Sequence, residues 1–118
     1  MSRRRESGSS AEAINLRDGK WLLVYNDTER GRQSLAASLS DDEGVTWKWT
    51  RHIARDPASN GQKFSYPSVI QSRDGSLHVT YSWSEPPLGR DVAGNRRPPL
   101  QNIRHAHFSE DWIVEGER

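Results

Sequence analysis

Apolar and polar residues alternate along most of the chain with the period of β-strands. Residues 11–16 (AEAINL) alternate small or apolar with polar side chains, the two-residue period of a strand with one buried face. Residues 20–26 (KWLLVYN) are a run of strand formers and predict a largely buried strand. Asp18-Gly19 lies between these runs and predicts a tight hairpin. Residues 33–40 (QSLAASLS) have some helix propensity. Their short length and the turn signals on both sides predict a strand instead. Residues 47–53 (WKWTRHI) alternate cleanly and predict an edge-type strand with Trp47, Trp49, Arg51 and Ile53 on one face. Three more strands are expected at residues 64–71, 76–82 and 101–108. Pro67 stands near the start of the first of these, where a missing N–H is tolerable. Residues 27–32, 41–46, 54–63 and 85–100 read as loops. Ser109 precedes Glu110 and Asp111, the signature of a capped helical turn.

The pattern repeats. Arg17-Asp18-Gly19 returns as Arg73-Asp74-Gly75, 56 positions later, and at the same offset Leu23 meets Val79 and Tyr25 meets Tyr81. Short antiparallel strands repeating at a period near 50 are the mark of β-propeller blades. The expected fold class is all-β, with about two four-stranded antiparallel blades. One spans about residues 11–55 and the other, with the tail, about 62–118. Residues 1–10 are expected to be a disordered leader, because their basic start has no apolar segment behind it.

Composition narrows the reading. The net charge of +1 removes the strongest argument for nucleic acid or an anionic membrane as partner. With no cysteine, there is no disulfide framework, thiolate metal site or cysteine nucleophile. Apolar runs are only a few residues long, too short to cross a membrane as a helix. Only 21 of the 118 residues are Leu, Ile, Val or Phe, few for a self-sufficient core. Five Trp and three Tyr argue against disorder. The expectation is a core built from Trp, Tyr and small residues, whose remaining apolar partners belong to blades outside this chain. Exposed blade edges would then favour self-association.

The most informative motif is Ser40-Asp41-Asp42-Glu43-Gly44-Val45-Thr46-Trp47, which fits S-x-D-x-G-x-T-W. Asp42 is suited to accept bonds across the turn, Gly44 to adopt a backbone a Cβ would resist, and Trp47 to bury its ring between sheets. This motif is identified as the Asp-box, or bacterial neuraminidase repeat, of the sialidase superfamily. The resemblance extends to the Ser65–Gln71 segment (SYPSVIQ), Asp74-Gly75 and His78-Val79-Thr80-Tyr81. It also takes in Asp18-Gly19-Lys20 with Leu22 to Asn26, Ile103-Arg104-His105, and Asp111-Trp112-Ile113. These are similar to the C-terminal blades of the bacterial and plant sialidase-like proteins. The resemblance implies a six-bladed propeller and a retaining exo-sialidase with a tyrosine nucleophile, which departs from the usual two-carboxylate scheme. It implies a terminal sialic acid or related acidic sugar as substrate, and no cofactor.

Carried over residue by residue, the resemblance places Tyr66 at the nucleophile. It places Arg32 at one of three arginines that clamp the substrate carboxylate, with Arg30 as a rival two residues away. A strand-start aromatic that packs a blade edge is the competing reading of Tyr66. No residue matches the acid/base aspartate, the activating glutamate or the other two arginines, which are expected in earlier blades. Glu12 is the only acid of the first strand, and Glu85 has no family match. Ser40, Asp42, Gly44, Thr46 and Trp47 of the Asp-box are structural. His105 and His107 share a strand face but lack a third metal ligand. Arg90, Arg96 and Arg97 read as a solvated loop. Trp49 is open between packing and sugar stacking. The isolated chain is expected to be inactive. The alternative function is a noncatalytic Asp-box segment that binds glycan or protein.

Overall fold

The computed structural model describes residues 11–26, 34–56, 61–86, 92–95 and 100–117. Among the described residues are seven strands and one helix: β1 (Ala11–Asn15), β2 (Trp21–Tyr25), β3 (Ser34–Ser40), β4 (Trp49–Arg55), β5 (Lys63–Gln71), β6 (Leu77–Glu85), β7 (Leu100–Phe108) and α1 (Glu110–Glu115). They form an antiparallel sheet in the order β1-β2-β3-β4 and a second in the order β5-β6-β7. The architecture is that of propeller blades, with three strands rather than four in the second sheet among the described residues. The leader, residues 1–10, lies outside the described residues, as do Arg30, Arg32, Arg90, Arg96 and Arg97.

The repeat holds at the level of single hydrogen bonds. Leu16 N donates to Lys20 O (2.8 Å) and Gly19 N to Leu16 O (3.0 Å). Ser72 N donates to Ser76 O (2.9 Å) and Gly75 N to Ser72 O (2.9 Å). The two turns also touch, because Arg17 Nη2 donates to Ser72 O (2.8 Å).

Strand alternation sorts the apolar residues into two sets. Leu22, Val24, Leu35, Ala37 and Leu39 meet Phe64, Val69, Leu77, Val79, Tyr81 and Trp83 in one core between the sheets. Leu23, Tyr25 and Ala36 form a smaller cluster on the other face of the first sheet. At the 56-residue offset, outward Leu23 and Tyr25 correspond to inward Val79 and Tyr81. Inward Leu22 and Val24 correspond to His78 and Thr80, outside the core. The sheets therefore stack front to back, as successive blades do.

Three expectations change. The core is mainly aliphatic: six of the seven described leucines are buried, while Trp83 is the sole buried tryptophan. Thin composition is met by using nearly every leucine, not by substituting aromatics. Second, β4 begins at Trp49 instead of Trp47. The Asp-box turn extends through Trp47, and pairing resumes where Lys48 N donates to Leu39 O (3.0 Å). Third, Trp47 and Trp49 do not share a face: half-buried Trp47 packs on the outer cluster and Trp49 on the inter-sheet core. Trp49 is thus a packing residue.

Helix α1 follows its signals. Ser109 caps it by accepting from Trp112 N (3.2 Å). Ile113 is fully buried in the core. Arg51 Nη1 donates to Trp112 O (2.8 Å), and its guanidinium lies 4.1 Å from the Trp112 ring centroid. His52 is bonded through both its backbone N–H and its ring to Glu117, and the N–H holds the Glu117 carboxyl below the usual range. These contacts lay the helix along β4.

Candidate functional site

Tyr66 lies at a break in the second sheet. Ser65 pairs with Ser82 and Ser68 with Thr80, so Tyr66 and Pro67 stand opposite Tyr81 alone. This is a β-bulge, a device that re-aims a side chain and is enriched beside active sites. Tyr66 adopts φ 53°, the left-handed region that costs a residue with a Cβ about 1–2 kcal/mol. Its side chain is 64% exposed. It lines a cleft of about 460 Å³ together with Ser65, Ser82, Ser84, Gln101 and Ile103. That volume falls within the ~300–1,000 Å³ of ligand sites.

The residues behind the bulge hold it in place. Phe64 meets Tyr81 edge-on with centroids 6.1 Å apart, and burial pushes the Tyr81 phenol pKa up. Trp83 Nε1 donates to Gln62 Oε1 (2.9 Å), and Arg104 stacks 4.1 Å from the Trp83 ring centroid. Asn26 Nδ2 donates to Ser34 O (2.7 Å) and Phe64 O (2.8 Å), tying the first sheet to β5. Asp56 Oδ2 accepts from Gln62 N (2.9 Å). Asn26, Asp56 and Gln62 were not singled out by the sequence. Their partners lie up to 38 positions away, and no local spacing announces such a contact.

Glu12 lies on β1 opposite Val24 and is half-buried. By alternation it shares a face with Ile14, which packs on the inter-sheet core, and β1 lies against β5. Glu85 ends β6 opposite Leu100, away from the bulge. His105 and His107 are joined by His78. His78 Nδ1 lies 2.9 Å from His105 Nε2, and the parallel rings of His78 and His107 are 4.4 Å apart. Among the described residues no three His, Cys, Asp or Glu side chains are grouped to hold a metal ion.

The Asp-box closes the opposite end of the first sheet. Ser34, at the near end of β3, is tied through Asn26 to Phe64. Ser40, at the far end, is six residues or about 20 Å further along. There Ser40 Oγ donates to Asp42 Oδ1 (2.7 Å) and accepts from Gly44 N (2.8 Å). Thr46 gives Asp42 both its N–H (2.9 Å) and its hydroxyl. These donors, the Thr46 hydroxyl first, hold the Asp42 pKa down at about 2. Gly44 has φ 84°, and a Cβ there would meet the Trp21 ring at 3.0 Å.

A family model described as a BNR repeat-like domain matches residues 3–79. The chain belongs to this BNR repeat-like family. The type is the sialidase, or Asp-box, repeat. The matched part of this BNR repeat-like chain takes in the first sheet, the Asp-box and the whole of β5 with Tyr66. Comparison with curated proteins and with solved structures gives no match.

Proposed function

We propose that this chain supplies the tyrosine-bearing blades of a sialidase-like glycoside hydrolase, with Tyr66 as nucleophile toward a terminal acidic sugar. The observation that carries the reading is the backbone of Tyr66. An exposed tyrosine held in a left-handed bulge beside a cleft has the strain and the presentation expected of a reacting group. An aromatic that merely packs a blade edge needs neither.

In the proposed reaction the Tyr66 hydroxyl gives its proton to a base and Oη bonds to the anomeric carbon as the glycosidic bond breaks and the departing oxygen takes a proton from an acid. Water then attacks the same carbon as its bond to Oη breaks, the water's proton passes to the deprotonated acid, and the tyrosine recovers its proton from the base. A phenol is a weak nucleophile at neutral pH and needs a base within reach. Glu12, on the strand against β5 and on the face turned to the second sheet, is proposed as that base. Arg32, outside the described residues, is proposed to meet the sugar's carboxylate. The group that protonates the leaving oxygen is proposed to lie outside this chain, so the chain alone turns over no ordinary sialoside.

A 2-deoxy-2,3-difluoro sialic acid tests the reading, because fluoride leaves without protonation and needs no general acid. The expected result is one covalent sugar adduct, mapped to Tyr66 by mass spectrometry and absent from Tyr66→Phe. An adduct that survives Tyr66→Phe assigns the nucleophile to another residue and overturns the reading, and none on the wild type argues instead for a noncatalytic glycan-binding segment.

A further inference from the structure

Two buried oxygen atoms near the junction of the sheets, Asn26 Oδ1 and Asp56 Oδ1, have no hydrogen-bond partner among the described residues. Their residues are 6% and 7% exposed. The Asn26 amide cannot turn over to relieve this, since Nδ2 donates to both Ser34 O and Phe64 O. Turning it would set its oxygen against two carbonyls. Asp56 receives one backbone N–H, from Gln62, and no ion pair with a described residue includes it. A carboxylate removed from water with one hydrogen bond and no countercharge among the described residues is costly. Such a group calls for an explanation, of which a bound ion is one.

The two residues work on the same short stretch of chain. Ser34, held by Asn26, pairs with Arg55, the neighbour of Asp56. Gln62, held by Asp56, stands two residues before Phe64, which Asn26 holds. Both oxygens therefore flank the point where the β3–β4 end of the first sheet meets the entry to β5. The Ser34 and Phe64 carbonyls there each accept a bond from Asn26. The two orphaned donors are a carboxylate oxygen and an amide oxygen, with no nitrogen or sulfur. Hard oxygen donors of this kind suit Ca²⁺, whose flexible coordination tolerates donors fixed by a sheet. Mg²⁺ demands a smaller, near-octahedral shell and gives up water reluctantly.

We infer that Asn26 and Asp56 bind a Ca²⁺ ion that clamps the two sheets together at the entry to β5. A single carboxylate places the affinity in the weak range of such sites, a Kd of about 10⁻⁴–10⁻³ M. The ion would neutralise Asp56 and hold β5 two residues before the Tyr66 bulge. This inference stands without the proposed chemistry of Tyr66.

Thermal unfolding of the full chain after EDTA treatment tests it. At about 10 mM CaCl₂, tenfold or more above that Kd, the midpoint rises by several degrees. MgCl₂ at matched ionic strength does not raise it, and Asp56→Asn abolishes the response. Asn26→Asp lowers the midpoint in EDTA and enlarges the rise with Ca²⁺, because a second carboxylate loses the bonds of Nδ2 and gains a stronger ligand. Terbium luminescence on the wild type keeps the test open should Asp56→Asn not fold. Tryptophan-sensitised Tb³⁺ emission saturates and is displaced by Ca²⁺, since Trp83 is linked to Asp56 through Gln62. A Ca²⁺ shift no larger than the Mg²⁺ shift overturns the inference. So does Tb³⁺ emission that is absent, or that Ca²⁺ does not displace.

Discussion

Tyr66 carries two conflicting backbone demands. It precedes Pro67, and a residue before proline is pushed toward extended conformations. It nevertheless sits at φ 53°, where a Cβ costs about 1–2 kcal/mol. The strand's alternation shows that residues 63–71 are extended but not that one of them breaks register, so the bulge was invisible in the sequence. What the sequence did carry was the residue type, in a Tyr-x-Ser ahead of an Asp-Gly turn. Replacing Tyr66 by glycine separates strain from packing. Because the side chain is 64% exposed, little contact is lost. Relief of strain opposes the added freedom of the unfolded chain, about 0.5–1 kcal/mol. Urea unfolding of Tyr66→Gly should give a stability between unchanged and about 1 kcal/mol above the wild type, with adduct formation lost. A loss above about 2 kcal/mol would mark Tyr66 as a packing residue.

The elements of this chain are closed by short polar turns built around carboxylates. Asp42 gathers Ser40 and Thr46, and Asp74 gathers Ser72 Oγ (2.6 Å), Ser76 N (3.0 Å) and Ser76 Oγ (2.6 Å). These donors hold the Asp74 pKa well below the usual carboxylate range, and that of Asp42 at about 2 instead of the ordinary 3.8. A carboxyl whose pKa is depressed by folding contributes stability above its unfolded value, and that contribution fades as pH falls toward its folded one. The window for Asp42 therefore runs from about pH 4 down to about pH 2. Asp42→Asn keeps one oxygen acceptor but has no charge to lose. Its denaturation midpoint should lie below the wild type's at pH 6, and the difference should narrow between pH 4 and pH 2. A constant difference across that range would mean that the charge is not what the turn uses. These turns were legible because their donors and acceptors lie within four residues of one another. The boundary of β4 was not, since it depends on how far the Asp42 network reaches before Lys48 meets Leu39 across the hairpin.

The two sheets share one core, yet their outer faces differ in kind. The equivalents of core residues Leu22 and Val24 are His78 and Thr80, so the outer face of the second sheet is more polar than a blade-to-blade contact. Alternation revealed which residues share a face. It did not reveal which face meets the other sheet, because both faces of β2 are apolar. The first sheet's outermost strand, β4, is lined by α1. At the margin of the second sheet, β7 is nine residues long, and Ile103 is 71% exposed. An edge strand this long, with no partner on its outer side among the described residues and exposed apolar side chains, is a template for pairing with another chain. We expect the purified chain to self-associate through β7, with an apparent mass in sedimentation that rises with concentration. Ile103→Lys should weaken that association tenfold or more, about 1.4 kcal/mol, because a lysine brought against its counterpart across a paired edge adds like-charge repulsion to lost apolar burial. The substitution lies outside the shared core, so the unfolding free energy of the dilute chain should stay within about 0.5 kcal/mol of the wild type's. A chain that sediments as a monomer at every concentration would mean that β7 is protected, and the strand's exposed face would then need another explanation.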